Sequence, residues 1–363
     1  MSDGETLTMS ATATVTVDLT KIAENARCVF SALAPRQLVG VTKVTCGSPE
    51  VGRAMIAGGA TALADSRLEN LARLREAGIG VPLWLLRSPT PALADDTVRL
   101  ADVSLESEAV TIRALDAAAG RAGRRHGIVV MVDLGDLREG VMPAELPRLL
   151  DSVAALDHVD ITGIGVSLTC YGAIVPTAGN LGELVRLAEE AERRLGRRLF
   201  VSGGMSSSLD ALVAGELPER VDNLRVGESI LLGVSSVTRE PILGLHTDAI
   251  TLRAPVIECA RKPSAPRGTV AQDAFGGRPV FEDRGARLRA ICALGRQDAP
   301  PEGLRPLDPG VEVLGASSDH LIMDVQERAE PPVVGDTIAF VPDYAATLRL
   351  FTSPYVAKEY AGP

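Results

Sequence analysis

The chain has 363 residues, 46% of them hydrophobic and 23% charged, with a formal net charge of -10. An acidic chain of this kind lacks the electrostatic footprint that DNA, RNA or an anionic membrane requires. Its length exceeds one average domain and fits one large barrel with an appendage. The five cysteines, Cys28, Cys46, Cys170, Cys259 and Cys292, are odd in number, widely spaced and without a CxxC pair. That pattern indicates neither a disulfide framework nor a zinc site, so no metal is expected and reduced, cytoplasmic thiols are the simplest reading. The segment "MSDGETLTMSATATVTVDL" lacks the basic and apolar regions of a signal peptide, and no apolar run is long enough to span a bilayer.

In chain order, a strand "TVTVDL" and a helix beginning near "TKIAENARCVF" open the pattern. From residue 38 follow eight short apolar runs: "LVGVTK", "TALADS", "VPLWLLR", "ADVSLES", "GIVVMVDLG", "DITGIGVSL", "LFVSGG" and "NLRVGES". Helical-period segments separate them, as in "SRLENLARLREAGI", where Leu68, Leu71 and Leu74 begin an apolar stripe. Eight such units over roughly 200 residues predict a (β/α)8 TIM barrel in the α/β class, with a doubly wound open sheet as the alternative. From about residue 242, proline, glycine and short alternating runs such as "TLRAPVIECA", "RLRAICALG", "LIMDV" and "DTIAFV" predict a second, all-β domain.

A barrel of this kind carries its chemistry at the carboxyl ends of the strands. The unusual polar residues fall there. Lys43 is read at the end of the first barrel strand, Asp65, Ser66 and Arg67 at the second, and Asp133 to Arg138 after the fifth. Ser167, Thr169, Cys170 and Tyr171 close the sixth, "SGGMSSS" (202–208) follows the seventh, and Arg225 lies in the eighth. Each alone fits a surface charge or a helix cap, the reading that Asp65 and Ser66 invite. Their convergence on one rim is the informative part. "SGGMSSS" is a glycine turn followed by three hydroxyls where a helix should begin, an arrangement that presents backbone N–H groups to an anion. A lysine on one strand and a phosphate cradle on another suggest a phosphorylated aldehyde. Pyridoxal phosphate joins a lysine whose amine must be uncharged when it attacks, and a poorly solvated strand end favours that form.

The segments "GVTKVTCG", "ADSRLENL", "DLGDLREG", "LTCYG", "SGGMSSS", "LRVGESILLG", "KPSAPRG", "DAFG", "GASSDHLIMD" and "SPYV", in order along nearly the whole chain, resemble the fold-type III pyridoxal-phosphate racemases. This is the alanine racemase superfamily, and the likeness is to its ornithine racemase branch. The resemblance implies a cofactor-binding barrel over residues 1–240 and a C-terminal β domain over 241–363. It also implies a head-to-tail homodimer in which the β domain contributes to the partner's active site. The expected substrate is a small amino acid, ornithine or a similar basic one, interconverted between L and D forms with pyridoxal 5'-phosphate as cofactor.

By the same resemblance Lys43 matches the Schiff-base lysine, Arg225 the arginine facing the pyridine nitrogen, and Ser206 and Ser207 the phosphate-contacting turn. Ser167 and Gly227 join the cofactor-binding set, Tyr344 matches a phosphate-binding tyrosine of the β domain, and Arg138 matches an arginine that grips the substrate carboxylate. Met131 stands where many alanine racemases carry a lysine that becomes carbamylated, so no carbamate is expected. Ser167 and Met205 stand where the ornithine branch usually shows asparagine, which bears on the substrate more than on the reaction.

The second base is open. Alanine racemase uses a tyrosine of the partner subunit, and the matching segment "RKPSAPRGTVAQDAFGGRP" contains none. Candidates are Asp273, Asp319, His320, Cys170 and Tyr171, and the acidic ones also suit the side-chain ammonium of a basic substrate. Basic amino-acid decarboxylases share the fold but normally set an acidic residue against the pyridine nitrogen and carry a cysteine where "GASSDH" has serines. A non-catalytic pyridoxal-phosphate protein would need no second domain, and a cofactor-free lysine aldolase would show no yellow absorbance.

Overall fold

Strands buried on both faces cannot alternate polar and apolar residues, and the eight runs from Gln37 onward do not. In the computed structural model, which describes residues 12–362, they close a barrel. The order is β1 (Thr14–Asp18), α1 (Leu19–Leu33), then β2 (Gln37–Val41), α2 (Pro49–Ala57), β3 (Ala62–Asp65), α3 (Leu68–Glu76), β4 (Leu83–Leu85), α4 (Ala94–Leu100), β5 (Val103–Glu106) and α5 (Ala109–Arg121). It continues with β6 (His126–Met131), α6 (Leu146–Val153), β7 (Val159–Gly165), α7 (Ala178–Leu195), β8 (Phe200–Met205), α8 (Ser208–Val213), β9 (Asn223–Val226) and α9 (Glu228–Leu232). Strands β2 to β9 are parallel neighbours in sequence order, and β9 closes on β2 through the pair Val39↔Arg225.

Val39, Val41, Ala62, Ala64, Trp84, Leu105, Val129 and Met131 pack as one buried cluster, with the Trp84 and Phe200 rings 5.5 Å apart. The alternate positions Leu38, Leu63, Leu83, Ile128 and Val130 are buried as well, so the barrel wall is apolar on both sides. Met131 therefore belongs to the apolar filling.

The chain divides into two compact units, residues 19–249 and a second that joins β1 to residues 250–362. The second holds β10 (Ile250–Pro263), β11 (Ala286–Ala293), β12 (Leu304–Pro306), β13 (Glu312–Ala316), β14 (His320–Asp324), β15 (Thr337–Pro342), α10 (Tyr344–Thr352) and β16 (Ala357–Ala361). Its sheet runs β12-β15-β10-β11-β14-β13, with β1 antiparallel to β10 and parallel to β16.

Two sequence expectations shift. The opening strand, grouped by sequence with the barrel, lies in the C-terminal sheet. Its pattern explains why: Val15 and Val17 are buried while Thr14 and Thr16 are not, the alternation of a half-solvated sheet. The β domain also contains one helix, α10, started by Asp343, whose carboxylate accepts from the Ala346 N–H at 2.8 Å. No helix among the described residues is long and apolar enough to cross a membrane, and none of their cysteines is joined in a disulfide.

Candidate active site

Lys43 lies slightly beyond the place its sequence suggests. Strand β2 ends at Val41, and Lys43–Thr45 form a single 3-10 turn, so the lysine opens the loop instead of ending the strand. The turn is held from below. Thr42 donates its hydroxyl to Asp65 Oδ2 at 2.9 Å, and Asp65 Oδ1 accepts from Asn70 Nδ2 at 2.8 Å and from the Arg67 N–H at 3.1 Å. The N-cap position of α3 is Arg67, without a side-chain cap bond, so Asp65 is not the helix cap its sequence position invited. It ties the lysine loop to α3, and its burial pushes its carboxyl above the usual range, against the pull of Asn70 and Thr42. Gly47 completes the turn at φ +67°, where a Cβ would come within 2.7 Å of Asn70 Cβ, so only glycine fits.

The serine turn is more enclosed than its sequence suggests. Ser206, Ser207 and Ser208 are all buried. Ser208 Oγ is spent on the Gly203 carbonyl at 2.7 Å, and Ser207 Oγ reaches the Leu168 carbonyl at 3.4 Å. Ser206 Oγ instead accepts from the N–H groups of Gly227 and Ser229, both at 3.3 Å. Those two amides and that hydroxyl form the polar point where β8 and β9 end. Gly227 is needed there because a Cβ would lie 2.9 Å from the Val41 carbonyl oxygen. Since β8, β9 and β2 are neighbours in the barrel, the serine turn, Gly227 and the Lys43 loop follow three adjacent strands.

Arg225, on β9, is the unusual charge. It is 3% exposed. One Nη2 proton goes to the Val166 carbonyl at 2.7 Å, Ser167 Oγ lies 3.2 Å from the same nitrogen, and Nη1 donates to Ser202 Oγ. No carboxylate forms an ion pair with it among the described residues. Burial, and then the nearby Arg138 cation, push its guanidinium down to about 10, which leaves it charged at neutral pH. A buried cation without a counter-ion is costly unless another group supplies one.

Arg138 follows β6 on a loop bound to the loop after β7. Its Nη1 lies 3.0 Å from Cys170 Sγ and its Nε 2.9 Å from Glu139 Oε2. Asp133 Oδ1 accepts from the N–H groups of Gly135 and Leu137 at 2.8 and 3.2 Å. Asp136 is buried, and its two carboxylate oxygens accept from the N–H groups of Cys170 at 3.2 Å and Tyr171 at 2.9 Å. Of the six non-glycine residues with positive φ among the described residues, Cys46, Leu137, Thr169 and Ala173 lie on these rim loops. Each such conformation costs about 1–3 kcal/mol and persists only where neighbours over-determine it.

The remaining candidates lie in the C-terminal unit. Asp273 shapes a turn, with Oδ1 accepting from Phe275 N–H at 2.9 Å and Gly277 N–H at 2.8 Å. Asp319 accepts from Gln297 Nε2 at 2.8 Å, and His320 Nδ1 lies 3.4 Å from Ser317 Oγ. Asp273 and Ser317 line one cleft of about 590 Å³, together with Phe275, Phe281 and Arg289. Tyr344 is the first residue of α10. The structure thus gathers Lys43, Arg138, Ser167, Cys170, Ser206, Ser207, Arg225 and Gly227 on the barrel, and Asp273, Asp319, His320 and Tyr344 on the other unit. Thr42 and Ser202 are not legible in the sequence, since their partners Asp65 and Arg225 each lie 23 positions away, and Asn70 meets Asp65 five positions back, outside any capping spacing.

Known proteins resemble this chain in sequence and in fold. The family model for the alanine racemase N-terminal domain covers residues 17–235. An ornithine racemase of Acetoanaerobium sticklandii is 41% identical over 95% of this chain and 98% of its own length. A lysine racemase of Thermotoga maritima is 39% identical over 95% and 97%. Among solved structures, alanine racemase from Streptomyces lavendulae superposes with a TM-score of 0.77 at 21% identity, covering 97% of this chain and 98% of that one. The Bartonella henselae enzyme with covalently bound pyridoxal phosphate gives 0.74 at 17%, covering 97% and 100%. At such identities the superpositions speak for the fold. With the family match running through the barrel and the sequence likeness running through both units, this chain belongs to the alanine racemase family.

Proposed function

We infer that this chain interconverts the L and D forms of a basic amino acid, ornithine or lysine, with pyridoxal 5'-phosphate as its cofactor. The observation that carries this reading is the identity of 41% and 39%, over nearly the full length, to an ornithine racemase and a lysine racemase. The rim chemistry suits the cofactor. Arg225 is a buried donor lacking a carboxylate, which supports a ring nitrogen in need of a partner, and Ser206, whose oxygen accepts from the Gly227 and Ser229 N–H groups, keeps its hydroxyl proton to donate to an anionic tail. Ser207 belongs to the same seat, Tyr344 is assigned to the phosphate, and Ser167 supports Arg225.

When bound, the cofactor supplies a ring that takes up charge developing at the substrate's α-carbon. Lys43 would hold the cofactor through Nζ, and its amine would take or return the α-proton on one face. Arg225 would hold the ring nitrogen as a donor that keeps its own protons, which would favour return of a proton to the α-carbon. Arg138 grips the substrate carboxylate with its planar fork. The opposite face is served by Asp273, Asp319 or His320 of the partner subunit, or by Cys170 or Tyr171 of the rim. Those acidic groups are also suited to the side-chain ammonium. The assembly is a head-to-tail homodimer in which residues 241–363 complete the partner's site. Exposed apolar side chains on that unit, Phe275, Val280 and Phe281, favour a covered surface. An acidic chain without disulfides suits the cytoplasm.

The test is direct. In D2O the purified protein should exchange the α-hydrogen of ornithine or lysine and equilibrate the two enantiomers without releasing CO2. CO2 with no D-isomer would transfer the chain to the decarboxylases. Lys43→Ala should lose both the yellow colour and the reaction, and sustained turnover in that variant would remove Lys43 from its role.

A further inference from the structure

We propose that Asp136 is a positioning residue for substrate binding, a latch that holds the loop after β6 against the loop after β7 and so sets the direction of Arg138. The inference rests on the racemase reading above, in which Arg138 takes the substrate carboxylate.

Asp136 is 1% exposed, yet it forms no ion pair among the described residues. Its charge is satisfied by two successive peptide N–H groups, those of Cys170 and Tyr171, one on each carboxylate oxygen. Successive amides form such a concave anion seat where the backbone turns sharply, and Thr169, just before them, has φ +60°. The fit is close on the other side too. At Gly172 a Cβ would come within 2.8 Å of the Asp136 carbonyl oxygen, so the two loops touch backbone to backbone. Two residues beyond Asp136, Arg138 returns to the same loop, with Nη1 3.0 Å from Cys170 Sγ. Residues 136, 138 and 170 thus close a ring of contacts. Asp136 grips the backbone of Cys170, and the Cys170 thiol meets the guanidinium.

The consequence is mechanical. Leu137, between the latch and the arginine, is exposed and holds φ +54°, a conformation nothing in its own side chain favours. Without the carboxylate at 136, the loops around Thr169 and Leu137 lose the contact that joins them and are held only within themselves, by Thr169 Oγ1 donating to the Ile174 carbonyl at 2.7 Å and the Leu137 N–H donating to Asp133 at 3.2 Å. Arg138 then loses the fixed base from which a planar fork meets a planar carboxylate. With the second base supplied by Asp273, Asp319 or His320 of the partner subunit, chemistry at the α-carbon involves neither Asp136 nor the loop it holds. Its loss should therefore weaken binding of the carboxylate more than it slows turnover of bound substrate.

The experiment compares the wild-type holoenzyme with Asp136→Asn, which keeps the shape and removes the charge, and with Gly172→Ala, which spreads the same contact from the other side. Amide hydrogen exchange of the peptide spanning residues 168–174 is read together with kcat, KM and inhibition by propionate, an unreactive carboxylate. A charge-assisted hydrogen bond lost in each case predicts, in both variants, exchange and KM raised by about tenfold, propionate inhibition weakened by about the same factor, and kcat nearly unchanged. Exchange that rises while KM and propionate inhibition stay at wild-type values overturns the proposal, leaving Asp136 a merely structural tie. So does a fall in kcat with KM unchanged. If the wild type exchanges no α-hydrogen from any amino acid, the racemase reading fails and this inference with it. An active wild type with an indistinguishable Asp136→Asn variant defeats the inference alone.

Discussion

The barrel buries two polar clusters of opposite character. At the rim, Arg225 is enclosed with only hydroxyls and a carbonyl as acceptors, and it remains a full charge at neutral pH. In the wall, Glu106 on β5 accepts from Ser104 Oγ at 2.7 Å, and the same hydroxyl lies 2.9 Å from His126 Nε2. Burial pushes the Glu106 carboxyl up to about 8 and the His126 imidazole down to about 4. Both groups are then uncharged near neutrality, so the wall cluster gives up charge instead of pairing it. Ser104 and Glu106 alternate with the inward-facing Val103 and Leu105, so they point away from the barrel interior toward the helical layer. The wall holds no isolated ion, whereas the rim keeps one. A buried charge left without a counter-ion marks the place where a ligand is expected, and a buried acid that has neutralised itself marks structure.

The largest expected effect separates the two clusters by replacing Arg225 with methionine, apolar and of similar reach. Removing a donor aimed at the reacting system should lower racemisation by about 100-fold or more. The protein stripped of cofactor should melt no lower than the wild type, because an uncompensated buried cation has been taken away. Activity assays beside thermal melts of the cofactor-free forms check this. A variant that unfolds while its residual activity per folded molecule stays normal would make Arg225 a structural residue and erase the contrast.

Which of these clusters can be read from sequence follows from how each is built. The eight barrel strands stand out because burial on both faces removes polar residues from the runs, and the helices between them carry their own stripe. Lys43, Arg138 and Arg225 stand out because charges at the carboxyl ends of such strands contradict their surroundings. Strand β1 was equally open to reading, since "TVTVD" alternates as only a half-solvated strand does, but its nearness in sequence to α1 drew it toward the barrel. Asp136 falls within the polar run 133–138 that the sequence places on the rim, but its partners, like those of Glu106, could not be read. Asp136 looks like one more polar loop residue until the chain brings it to Cys170, 34 positions on, and Ser104 meets His126 across 22. Local pattern is blind to a carboxylate whose partners are backbone amides of another loop. Helix α10 was hidden for a different reason: one capped helix of nine residues interrupts a stretch whose periodicity is otherwise that of strands.

The wall cluster predicts smaller effects, on stability instead of chemistry. Glu106→Ala leaves the Ser104 hydroxyl without its acceptor and should cost about 1–3 kcal/mol in a denaturant titration, with turnover at saturating substrate unchanged. The finer test is pH dependence. With its folded pKa near 8 and an ordinary value of 4.5, Glu106 keeps its proton in the folded protein while the unfolded chain has already released it. Its contribution is complete below pH 4.5 and is lost as pH rises toward 8, by at most about 1.4 kcal/mol per pH unit. His126 acts in the other direction: with its folded value near 4 against an ordinary 6.5, stability is lost as pH falls through that window. Glu106→Gln keeps the shape and cannot titrate, so the decline in the urea midpoint between pH 6.5 and 8, above the range in which His126 titrates, should flatten in this variant and persist in Arg225→Met. Equal slopes in the wild type and Glu106→Gln would mean that Glu106 is already ionised in the folded barrel. The wall would then hold a bare charge as the rim does, and lack of a counter-ion would no longer single out the rim as the place where a ligand binds.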